Sequence, residues 1–101
     1  MQKNYGGVIF SDHALERLRF RGIAQGDAWA VWKKPDSSKY SKSNGVYVYS
    51  RVFGTKTVFV AAKRNEKGEW IILSVWDKYR KSTIGSKKGI FKLISEFFGF
   101  S

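Results

Sequence analysis

Cysteine is absent from this 101-residue chain, and histidine, methionine and proline occur once each. Without thiols there is no disulfide framework and no thiolate nucleophile, and the redox compartment is left open. One imidazole and eight scattered acidic residues offer no cluster for a zinc or calcium site. Paired carboxylates for glycoside hydrolysis are not evident either, and no cofactor is expected. A Ser/His/Asp set can be drawn on paper, but no Gly-x-Ser-x-Gly elbow stands behind it. The first seven residues, Met1-Gln2-Lys3-Asn4-Tyr5-Gly6-Gly7, lack the apolar run of a signal peptide. No segment approaches the length of a transmembrane helix. A cytoplasmic site of action is therefore expected, although a domain released from a larger secreted chain would read the same way.

Acidic residues are few beside the basic ones. Nineteen Lys and Arg against eight Asp and Glu leave a net charge of +11. On one small domain, such an excess steers polyanions, with nucleic acid first among the partners and an acidic inhibitor protein or anionic membrane surface next. Hydrophobic residues make up 43% and aromatic residues 17% of the chain, enough to form a core and too many for a disordered chain. Residues 1–101 read as a single domain.

The expected fold class is α+β: two N-terminal helices packed on a twisted antiparallel sheet of about four strands, plus a C-terminal amphipathic helix. A short lead-in strand covers residues 8–10. Ser11 or Asp12 caps a helix running to about Arg21, with Gly22 as its stop. A second helix spans about Gln25 to Lys33, ended by Pro35. The period then changes to two. Residues 46–53 (VYVYSRVF) are β-branched and aromatic, preceded by the turn signal Asn44-Gly45 and a short polar strand at 39–42. Further strands are expected at 55–63 and 69–77. Strict alternation in the last would put Trp70, Ile72, Ser74 and Trp76 on one face and Ile71, Leu73 and Val75 on the other. From residue 78 the chain reads as a basic connector, including Gly85-Ser86-Lys87-Lys88-Gly89, then the amphipathic stretch 90–100. Docking of that stretch on the sheet is expected, with an anionic membrane interface or a protein partner as its alternatives.

One stretch carries chemistry. In Ser11-Asp12-His13-Ala14-Leu15-Glu16-Arg17-Leu18-Arg19-Phe20-Arg21-Gly22-Ile23, arginines follow the only histidine at four and eight residues. At 3.6 residues per turn, His13, Arg17 and Arg21 make one slowly drifting stripe. It joins a proton carrier to permanent cations suited to a phosphate. RNA supplies its own nucleophile, the 2′-hydroxyl. Metal-free cleavage to a 2′,3′-cyclic phosphate then needs an acid or base and cations for the phosphorane. A plain RNA- or ribosome-binding helix would carry the same residues. Arg19, Arg51, Lys56 and Lys63 are further candidates for the backbone, Ser74 for a hydroxyl contact, and Tyr47, Tyr49 and Trp76 for base stacking.

Residues 11–23 resemble the H-A-x-x-R-x-x-x-R-G-I signature of the DUF4258 family of small bacterial domains. The following helix, the Lys34-Pro35-Asp36 stop and a last strand ending Ile72-Leu73-Ser74-Val75-Trp76 resemble it too, over roughly residues 8–77. The resemblance implies membership of the wider group of RelE-, ParE- and barnase/colicin-like toxin ribonucleases. It implies metal-independent RNA cleavage through His13, Arg17, Arg21 and Ser74, with Ser74 where the family often has Thr. A cognate acidic antitoxin or immunity protein is a further expected partner.

Overall fold

A computed structural model describes residues 1–79. In chain order the elements are β1 (Asn4–Tyr5), β2 (Val8–Phe10), α1 (Asp12–Arg21), α2 (Gln25–Lys33), β3 (Ser37–Ser41), β4 (Val46–Phe53), β5 (Lys56–Arg64) and β6 (Trp70–Tyr79). The strands form one sheet in the order β1-β2-β6-β5-β4-β3. Pairing is antiparallel except between β2 and β6, which run parallel. This corrects the expected four-stranded antiparallel sheet: the described residues form a mixed sheet of six strands. The lead-in segment doubles back on β1 and docks beside the last strand, running in the same direction as β6. The described residues include no helix after β6. The expected connector and C-terminal helix lie outside them, apart from Lys78 and Tyr79, which extend β6.

Local chemistry explains the helix limits. Gly22 takes φ 65°, the left-handed conformation that glycine adopts without a Cβ penalty. The Gly22 N–H bonds the Arg19 carbonyl and the Ile23 N–H bonds that of Leu18, which satisfies the last turn. Ala14 and Leu18 of α1 and Ala28 and Val31 of α2 are buried against Val58, Val60, Ala62, Ile72 and Val75 of the sheet. The N-terminus is tied down by Gln25, whose side chain accepts from Gln2 N–H and donates to the Gln2 carbonyl. The Trp29 indole bonds the Gly6 carbonyl, and a Cβ on Gly6 would collide with that ring.

A β-bulge interrupts the β5–β6 ladder. Ala61 faces Ser74 but Ala62 faces Ile72, so Leu73 is the extra residue. Strict alternation along β6 is therefore corrected. Ile72 and Val75 join the core under the helices, and Trp70 packs against it. Trp76 lies on the opposite face with Val46, Val48, Phe59 and Ala61.

Candidate nucleic-acid interface

Ser11 positions α1. Its backbone is extended (φ −65°, ψ 161°), and its Oγ accepts from the Ala14 N–H at 3.0 Å as an N-cap. The same hydroxyl donates to the Leu73 carbonyl at 2.9 Å, and the Ser11 N–H donates to the Ile72 carbonyl at 3.0 Å. The N-terminus of α1 is thus held at the start of β6, beside the bulge. Its C-terminus reaches Asp77, because Arg21 Nη1 donates to Asp77 Oδ1 at 3.1 Å. The helix lies along β6, and its polar side is presented along the length of that strand.

The stripe occupies one flank of this helix. His13 is exposed in the first turn. Arg17 is half-buried, with its guanidinium carbon 5.9 Å from the centroid of the Phe20 ring, which is itself 78% exposed. Arg21 is exposed apart from its bond to Asp77, and Arg19 is exposed two residues around the helix from Arg17. Together they make the second half of α1 a cationic surface with one apolar ring on it.

Three candidates gather at the far end of β6. The Asp77 carboxylate, whose side chain is only 9% exposed, pairs with both Arg21 and Lys56, the latter at 3.8 Å. Arg51 of β4 stands opposite Val58, which stands opposite Asp77, so all three share a row across the helix-side face. The Arg51 guanidinium lies 5.5 Å from the Phe53 ring centroid. Asp77 was not foreseen as the organising residue. Its signal in the sequence is that it is the only charged residue in the run from Trp70 to Asp77.

Other candidates are dispersed. Lys63 is exposed and faces Ile71 across the ladder, one residue before Arg64. Ser74 is 1% exposed and stands opposite Ala61, on the sheet face away from the helices. Trp76 is also buried on that face, stacked on Phe59 with ring centroids 5.4 Å apart and planes 4° apart. His13 and Ser74 are thus not side by side in this arrangement.

Tyr49 instead belongs to a strip of rings on the helix side. Tyr47 lies parallel to Tyr49 (5.9 Å, 5°), Trp70 packs edge-on against both, and Trp32 of α2 closes one end. Burial pushes the Tyr49 phenol above its ordinary value of 10.0; neighbouring Tyr47 adds to the rise and Arg64 opposes it. The phenol therefore stays protonated at neutral pH.

Among the described residues, no group of three or more His, Cys, Asp or Glu side chains is placed to hold a metal ion. None of their helices is long and apolar enough to cross a membrane. No family model, curated protein or solved structure matches the chain.

Proposed function

We propose that the protein is a toxin-like, metal-independent ribonuclease of the DUF4258 kind, acting on RNA along the exposed flank of α1. The observation that carries this reading is that His13 and the arginines of its stripe line one flank of a helix anchored at both ends to β6. A proton carrier and phosphate-binding cations are thereby held on a rigid element, which proton transfer within a bound substrate demands.

In the reaction, His13 accepts the proton of the RNA 2′-hydroxyl. The 2′-oxygen–phosphorus bond forms as the phosphorus–5′-oxygen bond breaks, leaving a 2′,3′-cyclic phosphate. The departing 5′-oxygen takes its proton from solvent. Arg17 stabilises the charge that builds on the phosphorane, and Arg19 and the cations around Asp77 hold the flanking backbone. Ser74 is buried on the opposite sheet face and takes no step in the reaction. A small acidic antitoxin or immunity protein would neutralise such a surface by charge complementarity.

The deciding experiment is digestion of total RNA by wild type and His13→Ala, with analysis of product ends. Cleavage with cyclic-phosphate ends by wild type, abolished in the variant, supports the reading. Intact RNA after prolonged incubation with wild type sinks it.

A second reading is a non-catalytic RNA- or ribosome-binding module. The specific observation favouring it is that Arg21 is already committed to Asp77 and Arg17 rests on Phe20. It predicts steeply salt-dependent binding that His13→Ala leaves unchanged.

A further inference from the structure

The strip of rings extends past the helix layer to the edge of the sheet. Tyr40, on edge strand β3, is 52% exposed, and its ring centroid is 4.6 Å from that of Tyr47. From there the strip continues through Tyr47 to Tyr49 and Trp70, with Trp70 against Trp32. Tyr47 stands opposite Ala62, whose small side chain leaves room for Trp70 to reach over β5. The Arg64 guanidinium lies 5.4 Å from the Trp70 ring centroid, adding a fixed cation to the strip.

Tyr40 leaves about half of its surface open on an edge strand, so folding uses only part of that ring. Rings in series beside an arginine, on a chain of net charge +11, suit a polyanion that carries flat groups. A single-stranded nucleic acid has both. Duplex RNA keeps its bases stacked inside and presents only backbone and groove edges. The strip also lies at the right place. Trp70 begins β6, and the Ser11 cap of α1 bonds the carbonyls of Ile72 and Leu73 on the same strand. A strand lying on the rings therefore leads toward the N-terminal turn that carries His13.

We propose that Tyr40, Tyr47, Trp70 and Arg64 form a base-stacking platform that selects single-stranded RNA and delivers it to α1. This rests on the RNA reading above and specifies its substrate. The test is fluorescence anisotropy with a labelled short single-stranded RNA and with a blunt duplex of the same sequence, using the full chain. Tyr40→Ala removes a half-exposed ring and its cross-strand contact with Tyr47, and should lower the thermal midpoint by a few degrees while leaving the transition cooperative. It should weaken single-strand binding about tenfold, in line with the loss of one stacked base. Tyr40→Phe should bind like wild type, and duplex binding should be equal in all three proteins. Arg64→Gln should also weaken single-strand binding selectively.

Equal single-strand affinity in wild type and Tyr40→Ala, or equal losses on single strand and duplex, overturns the platform. Either result leaves the ribonuclease reading intact if wild type still binds and cuts RNA. Absence of binding to both probes by wild type overturns that reading as well, so the two failures are told apart.

Discussion

The Ser11 hydroxyl bonds the Leu73 carbonyl, 62 residues away, while it caps α1 through the Ala14 N–H. One oxygen thus ends a strand-to-helix turn and ties that turn to the bulge of β6. Ser11→Ala removes both bonds and leaves a carbonyl without its partner. A lost cap costs about 1 kcal/mol and an unsatisfied carbonyl about 1–3 kcal/mol, so a loss of roughly 2–3 kcal/mol is expected in urea unfolding. Ser11→Asp separates the two roles, because a carboxylate caps the helix and cannot donate to Leu73. It should be destabilised as well. A variant as stable as wild type would mean that the contact with Leu73 contributes nothing.

Asp77 is the second anchor, and its two carboxylate oxygens are divided between Arg21 and Lys56. Breaking a largely enclosed charge pair costs more than breaking an exposed one. Arg21→Ala should lose no more than about 1 kcal/mol, since Arg21 is partly exposed and Lys56 still neutralises Asp77. Asp77→Ala leaves both Arg21 and Lys56 without their carboxylate and should be the more damaging change. The ordering in a chemical denaturation series checks it, and a double-mutant cycle between residues 21 and 77 gives the coupling.

Tyr49 predicts a pH dependence of stability. Its pKa is raised in the folded protein, by burial first and by Tyr47 second. The folded state therefore holds this proton more tightly than the unfolded chain does. The stability it contributes is complete below about pH 10 and is lost as pH rises from there through the folded value. Tyr49→Phe removes the group. The stability difference between wild type and variant should be constant from about pH 7 to 9 and shift against wild type at about pH 11. Parallel unfolding curves across that whole range would contradict it.

Both helices are legible in the sequence, because Ser11, Gly22 and Pro35 punctuate them and each signal acts within a turn or two. The β4 strand is legible from its β-branched and aromatic run. The order of strands in the sheet is not, since β1 and β2 total five residues and their pairing with β6 depends on contacts distant in sequence. The stripe on α1 is legible from spacing alone. The aromatic strip is not, because Trp70 meets Tyr47 only after β5 has been threaded between them. The two faces of β6 escape periodicity for a related reason. A bulge adds a residue without adding a pattern.

That bulge yields the sharpest structural prediction. Ile72 is fully buried under the helices while Trp76 is buried on the other face, and the phase between them is set by the extra residue Leu73. Deleting Leu73 makes Ser74 follow Ile72 directly, so the Ala62–Ile72 and Ala61–Ser74 pairs become consecutive and Trp70, Ile72, Val75 and Trp76 all keep their faces. It also removes the carbonyl that Ser11 binds. Leu73→Ala keeps the residue count, the bulge and that carbonyl, and loses only a half-buried side chain. The deletion should keep a cooperative thermal transition and be less stable than Leu73→Ala, because the Ser11 hydroxyl loses its acceptor as well. Leu73→Ala should keep it and lose about 1–3 kcal/mol, at the low end for a leucine truncation because the site is not fully enclosed. A deletion variant as stable as Leu73→Ala would show that the Ser11 contact contributes nothing, and one without a cooperative transition that the ladder does not close across the missing residue.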